Sequence, residues 1–364
     1  MNRAFWSGRR VFITGHTGFK GSWLSLWLRS AGAIVTGYSL PPPTEPNLYT
    51  DARAGEEITS VTGDVRDYEH LKRRMREADP EIVIHMAAQS VVRTSFDDPR
   101  ETYSTNVMGT VNLLEAIRRL ALPCATVIVT TDKCYENHEW VWPYRETDRL
   151  GGHDPYSNSK ACAELVTSAF GHSFFGGGRA PGIATARAGN VIGGGDWTTD
   201  QLVPDIVRAC TLGKPVQIRN PRAVRPWQFV LEPLNGYLML AERLSTSPAE
   251  YAGAWNFGPA EGDAVTVEEI VRRVNDLWRE GPGWETDSRP RPSEAGVLRL
   301  DTSKARYRLG WSPRLHLEDA LEWTVEWYRA RTRNEDTAAN TLRQILAYEE
   351  LQPATAAPEE ETTT

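Results

Sequence analysis

Tyr156 and Lys160 stand four residues apart in Tyr156-Ser157-Asn158-Ser159-Lys160, a spacing that puts both side chains on one face of a helix. An ammonium beside a phenol lowers a pKa that is otherwise about 10. The phenolate so formed takes a proton from an alcohol while hydride leaves the adjacent carbon. The spacing alone also describes an ordinary surface helix. Chemistry is favoured by a second feature far upstream, the glycine-rich turn Gly15-His16-Thr17-Gly18-Phe19-Lys20-Gly21.

The elements that must position these groups follow from periodicity. Residues 10–14 are an apolar, β-branched run, and the pattern after Gly21 is helical through Trp23, Leu24, Trp27 and Leu28. Strand, glycine turn and helix together make a dinucleotide cradle. Gly15 permits the tight turn, Gly18 lets backbone amides approach a pyrophosphate, and Gly21 allows close helix packing. Thr17, Phe19 and Lys20 belong to the same expected cofactor site. The strand at 33–38 ends in Gly37-Tyr38-Ser39 without the carboxylate that usually holds the adenosine ribose. That absence leaves NAD against NADP open, and the lack of an arginine there to grip a 2'-phosphate favours NAD.

A third strand near 58–61 leads to Asp64 and Val65, placed to meet the adenine; otherwise Asp64 simply starts the turn into a helix at 67–78. The strand at 81–88 ends in Ala87 and Ala88, small enough for a dinucleotide to lie against the backbone, and Gln89 follows. Residues 89–99 read as a loop and 100–120 as one long helix, with Asn106 near its start positioned to reach the Tyr156 region through water. After a strand at 125–129 comes the second polar cluster, Thr130-Thr131-Asp132-Lys133-Cys134-Tyr135. Alternating strands and helices predict a doubly wound parallel α/β sheet. Its ligand groups gather at the carboxyl ends of the strands.

A sixth strand at 182–187 and the loop 188–197 end the regular pattern. We therefore expect a dinucleotide-binding lobe at 1–188, which also receives a returning segment near 225–245. A smaller substrate lobe covers 189–333, and a polar tail runs from 334 to 364 with a disordered end. The length of 364 residues suits two lobes better than one core. A net charge of -7 gives no field for nucleic acid or an anionic membrane, so an anionic ligand must be met by local arginines and helix ends. Cys124, Cys134, Cys162 and Cys210 show no CxxC or Cys/His metal spacing. They read as reduced thiols in a cytoplasmic enzyme without a metal. No signal peptide and no membrane span is expected. The thirteen tryptophans are assigned to the core, with some suited to a sugar or base pocket.

The strings GHTGFKGSWL, HMAAQSVVR, TNVMGTVNLLEA, TTDKCYEN, GGHDPYSNSKACAELV, ARAGNVIGGGDW, RPWQFVLEPL and LDTSKARYRLGW together resemble the extended short-chain dehydrogenase/reductase family, and within it the sugar-nucleotide 4,6-dehydratases. The likeness runs from residue 15 to about 330. Lys133 stands where most such dehydratases carry glutamate, and the wording around it points to CDP-glucose. Phe229 stands where the family commonly has histidine, a departure that bears on the pocket and not on the chemistry.

The resemblance implies a Rossmann sheet with bound NAD and a catalytic set of Thr131, Asp132, Lys133, Tyr156 and Lys160. Tyr156 would take the C4 hydroxyl proton, with Lys160 lowering its pKa and Thr131 bonding the same oxygen. Asp132 would protonate the departing C6 hydroxyl while Lys133 assists at C5. Gln89, Asn190, Asp196, Trp197, Arg219, Arg225 and Arg299 are candidates for the nucleotide sugar, the arginines for its diphosphate. A homodimer or a higher homo-oligomer is expected, with the helices at 100–120 and 156–170 able to form a four-helix dimer seam. Alternatives are a 4,6-dehydratase of another nucleoside diphosphate sugar, a 4-epimerase, and a catalytically idle NAD-sensing protein.

Overall fold

Short apolar strands followed by amphipathic helices fold into one seven-stranded sheet, in a computed structural model that describes residues 1–175, 182–279, 281–287 and 297–352. The strands are β1 (Arg10–Thr14), β2 (Ile34–Ser39), β3 (Thr59–Thr62), β4 (Ile82–His85), β5 (Ala125–Val129), β6 (Ile183–Ala188) and β7 (Gly253–Phe257). All pair in parallel, in the order β7-β6-β5-β4-β1-β2-β3. The winding direction reverses between β1 and β4, which opens a crevice beyond their carboxyl ends.

Alternation along the strands supplies two cores. Val11, Ile13, Ile82, Ile84, Val127 and Val129 face one layer, while Phe12, Val83 and Ile128 face the other. Helix α1 (Phe19–Ser30) closes the first layer with Trp23, Leu24 and Trp27. Helix α2 (Tyr68–Ala78) closes the second with Leu71 and Met75, its amino end capped by Asp67.

The segment expected as a loop at 89–99 contains a short helix, α3 (Val92–Asp97). The helix expected to run unbroken from 100 to 120 is interrupted. A first turn, Pro99–Tyr103, widens into a π turn at Ser104–Met108 before α4 (Gly109–Leu120) begins. Such a bulge rotates a side chain off the regular helical face, and here Asn106 is buried. Helix α5 (Pro155–Phe174) starts on Asp154, whose carboxylate accepts the Ser157 amide at 2.8 Å, with Pro155 at the first position. That cap fixes Tyr156 in the first turn.

Beyond β6 come α6 (Leu202–Leu212), α7 (Leu231–Thr246), α8 (Val267–Trp278), α9 (Leu317–Thr332) and α10 (Thr337–Glu350). Helix α7 packs back against β5 and β6, and β7 then extends the sheet beside β6. The stretch from 334, expected as a polar tail, is corrected by α10, which seats Thr341, Ile345 and Tyr348 in the interior. The Trp327 indole donates to Thr341 Oγ1 at 2.9 Å, and that of Trp27 to Glu349 at 2.8 Å. The expected disordered end, 353–364, lies outside the described residues. Six tryptophans (Trp6, Trp23, Trp27, Trp255, Trp311 and Trp327) are fully buried, in keeping with a packing role. Among the described residues no helix is long and apolar enough to cross a membrane.

Candidate active site

The glycine turn sits at the mouth of the crevice. Gly15 has φ +78°, and a Cβ there would come within 2.7 Å of the Ala87 amide nitrogen. A Cβ on Gly21 would overlap the Gly15 carbonyl oxygen. Gly18 caps α1 with no side chain of its own, leaving the first-turn amides available to an anion. These features fit a dinucleotide. Thr17 ties the turn to the end of β2, with its hydroxyl 2.8 Å from both Ser39 Oγ and the Leu40 carbonyl. Phe19 turns its ring toward Gly193 in the core and offers only backbone to the turn.

His16 packs on Gly37 within β2. Its ring lies over Gly37, where any Cβ would strike it, and its Nε2 is 2.7 Å from Ser60 Oγ. Burial lowers its pKa to about 4, so the ring is neutral at physiological pH. Asp64 has both carboxylate oxygens engaged by the Arg66 side chain, which holds its pKa below the usual range. Val65 packs against Gly109.

The loop after β4 is held from two sides. Thr14 Oγ1 accepts the Met86 and Ala87 amides, each at 3.2 Å. Asn106 accepts the Gln89 amide and donates to its carbonyl, both at 2.9 Å. Asn106 also donates to Ser159 Oγ at 2.9 Å, and Ser159 donates to the Tyr156 carbonyl at 2.7 Å. The link expected through water is thus made directly by a side chain. Ala88 lies between these anchors, and the Gln89 side chain turns away to Thr102 and Val91.

Thr131, Asp132 and Tyr156 are buried together. Thr131 starts a 3-10 turn, Asp132–Cys134, and its hydroxyl donates to Asp132 Oδ1 at 3.0 Å. Asp132 Oδ2 is buried without a partner among the described residues. Lys133 is half-buried and forms no ion pair with a described residue, so an Asp132–Lys133 pair capping the segment is not what holds it.

Contrary to the expectation that Lys160 lowers the Tyr156 pKa, burial pushes the phenol above its ordinary value, opposed chiefly by a hydrogen bond with Thr131. Lys160 donates instead to the Val129 carbonyl at 3.2 Å. Burial and the nearby Lys20 bring Lys160 down to about 8. Burial brings Lys20 likewise to about 8, against the pull of Asp132 and Asp196. Lys20 after β1, Asp132 after β5, Tyr156 and Lys160 on α5, and Asp196 after β6 are thus coupled through their charges.

Behind them lies a network that sequence reading missed. Glu164, one turn beyond Lys160, accepts from Thr130, from Thr185 at 2.7 Å and from Arg187 at 2.7 Å. Arg187 also donates to Tyr135 Oη at 2.7 Å, and Tyr135 to Asn256 at 2.7 Å. Gly189 was missed too. A Cβ there would overlap Asp132 Oδ2, so this glycine makes room for the open carboxylate oxygen. Arginine in a strand and glycine after it carry no local signal for either role.

The substrate candidates are more dispersed. The Asn190 carbonyl accepts the Gln228 amide at 3.1 Å. Asp196 receives the Thr198 amide at 3.0 Å and is raised in pKa by burial. Trp197 packs edge-on to Tyr328 beneath Arg331. Arg219 donates to Asp200 at 2.7 Å. Arg225 is buried in a short strand, Val224–Pro226, and donates to the Val224 carbonyl at 3.1 Å. Arg299 is exposed, its carbonyl accepting the Tyr144 amide. Among the described residues no cluster of side chains is arranged to hold a metal.

Known proteins resemble this chain in sequence and fold. A family profile described as GDP-mannose 4,6 dehydratase matches residues 12–324. CDP-glucose 4,6-dehydratase of Salmonella typhimurium is 52% identical over 352 residues, covering 96% of this chain and 98% of that one. The UDP-glucose 4-epimerase of Thermus thermophilus, solved with NAD, superposes with a TM-score of 0.75 at 27% identity, over 88% of this chain and 99% of the other. The dTDP-glucose 4,6-dehydratase of Streptomyces venezuelae, at 23% identity and a TM-score of 0.77 over 90% and 99% of the two chains, shares the fold. Glycine turn, Thr-Asp-Lys segment and Tyr-Lys helix all lie inside the matched span, and the chain belongs to the GDP-mannose 4,6 dehydratase family of extended short-chain dehydrogenase/reductases.

Proposed function

We propose that the chain dehydrates CDP-glucose to CDP-4-keto-6-deoxyglucose, with NAD as a resident cofactor. The observation that carries this reading is the buried, unpartnered oxygen of Asp132 beside Thr131 and Tyr156, in a chain 52% identical to a CDP-glucose 4,6-dehydratase. A 4-epimerase has no step that needs this acid.

Gly15, Gly18 and Gly21 with the Ala87 amide would hold the dinucleotide. The dinucleotide held there would supply a hydride acceptor for C4 of the sugar and the hydride returned to C6, with no net consumption of cofactor. Tyr156 takes the C4 hydroxyl proton, and Thr131 bonds the same oxygen. Burial holds Tyr156 as a phenol, and Lys160, with a pKa of about 8, carries most of its positive charge near neutrality and would offset part of that burial as the proton moves. The C4 ketone acidifies the C5 hydrogen, which Lys133 helps to remove as a proton and to restore to C5 when hydride reaches C6. Asp132 gives its proton to the C6 hydroxyl as water leaves. Arg219 and Arg225 are assigned to the diphosphate. The lobes divide near residue 188, and the chain is a cytoplasmic homodimer whose seam includes Met108 and Leu165, exposed on the helices of residues 104–120 and 155–174.

Incubation with CDP-, dTDP-, GDP- and UDP-glucose tests the reading. CDP-glucose should give the alkali-detectable chromophore of a 4-keto-6-deoxy sugar at the highest kcat/KM, with no net accumulation of reduced cofactor. A C4 epimer without that chromophore would overturn it. Light scattering tests the dimer.

A further inference from the structure

Beyond the carboxyl ends of β4 and β6, three segments converge on one carboxylate. Arg93 stands on α3, which follows the carboxyl end of β4. Arg219 stands just past the short strand Val216–Ile218. Asp200 lies in the loop that leaves β6 by way of Asp196, a residue whose charge is felt by Lys20 in the catalytic cluster. Arg93 Nη1 donates to Asp200 Oδ1 at 2.5 Å, and Arg219 Nη2 donates to the same oxygen at 2.7 Å. All three side chains remain about a third or less exposed, so solvent and ligand can reach them.

The loop is built to present this carboxylate. Asp200 has φ +63°, a left-handed backbone that aspartate tolerates better than most side chains. Arg208 on α6 fastens the preceding backbone, donating to the Trp197 carbonyl at 3.0 Å and the Thr198 carbonyl at 3.2 Å. Asp205 pairs with Arg208, and the charges of Asp200 and Arg219 both reach Asp205.

We propose that Asp200 is an internal counter-anion, holding Arg93 and Arg219 together at the nucleotide end of the crevice until a substrate diphosphate displaces it. The inference rests on the reading that a nucleoside diphosphate sugar is the substrate. Asp200 offers two guanidinium forks a single oxygen, whereas a diphosphate offers them two charged groups with several oxygens in the geometry that guanidinium prefers. Asp200 is therefore a positioning residue with a competing cost. It keeps the arginines preorganised, and its own pairing subtracts from the observed affinity of the ligand. The same exchange lets product leave, because the carboxylate returns as the diphosphate departs.

Calorimetric titration of the NAD-loaded protein with CDP and with cytidine separates the diphosphate from the nucleoside. Asp200→Asn should tighten CDP roughly three- to five-fold, the scale of a partly exposed ion pair, and leave cytidine unchanged. Arg93→Met and Arg219→Met should each weaken CDP and spare cytidine. If Asp200→Asn leaves CDP binding equal or weaker while its Tm is native, the exchange is wrong. It is equally wrong if the arginine variants weaken cytidine as much as CDP, an outcome readable even if Asp200→Asn does not fold. Repeating the series with UDP, GDP and dTDP distinguishes the two readings. A wrong base appears as a different preferred diphosphate with the Asp200 effect intact.

Discussion

Asp132 and Glu232 are both carboxylates buried almost completely, and they are finished in opposite ways. Glu232, on α7, has every oxygen used: Oε1 accepts the Arg314 and Leu315 amides at 2.9 and 2.7 Å, and Oε2 accepts the Tyr348 hydroxyl at 2.7 Å. Asp132 has one oxygen on Thr131 and the other on nothing described. A buried polar atom without a partner costs stability. The first carboxylate joins α10 to the body of the fold. The second is left with an open oxygen beside Thr131 and Tyr156, where a ligand or a water can complete it, and this separates a site from a staple.

The comparison breaks most visibly at Asp132. Asp132→Asn should lower turnover by roughly 10²–10⁴, the usual contribution of a positioned acid, while C4 oxidation persists. Rapid mixing should then show reduced nicotinamide building up, and equal loss of oxidation and elimination would remove the acid role. Next is Glu164→Gln, which leaves the Arg187 guanidinium buried without its counter-charge. Breaking such a pair costs about 3–5 kcal/mol, measurable by denaturant unfolding. Because Glu164 supports the charge on Lys160, its loss should also move the alkaline limb of the activity profile to lower pH. Gly189→Ala should reduce kcat up to about a hundred-fold, on the scale of a misplacement of about 1 Å, with KM little changed, by pressing a methyl group on Asp132 Oδ2.

The smallest effect is Glu232→Gln, which keeps the acceptor for both amides and can donate to Tyr348. We expect unchanged activity and a stability change within about 1 kcal/mol at neutral pH. Its signature is a pH slope. Burial raises Glu232 from 4.5 to about 7, so the folded chain holds this proton more tightly than the unfolded one. That stabilisation is present in full below pH 4.5 and lost as pH rises through 7. Thermal unfolding across this window should be flatter for the variant, and an unaltered slope would reject the assignment.

What could be read from the sequence was what lies close together in it. The glycine turn, the Thr131 to Lys133 segment and the Tyr156–Lys160 pair are local patterns with local physics, and so are the parallel strands. Contacts that join distant segments left no such trace: His16 over Gly37, Glu164 with Arg187, Gly189 beneath Asp132, and Arg93 with Asp200. The Tyr156 pKa was misjudged because spacing shows a neighbouring ammonium but not the burial that outweighs it. Helix α10 was missed because the composition after 334 is polar on average, although Thr341, Ile345 and Tyr348 keep a helical period.

The last strand of the sheet has a consequence for how the chain is made. Among the described residues β7 pairs only with β6, yet it is synthesised after the loop and helices that follow β6. While those residues emerge from the ribosome, β6 presents a bare row of amides and carbonyls, an invitation to wrong partners. A nascent chain halted before Gly253 should therefore be the most aggregation-prone intermediate of its synthesis.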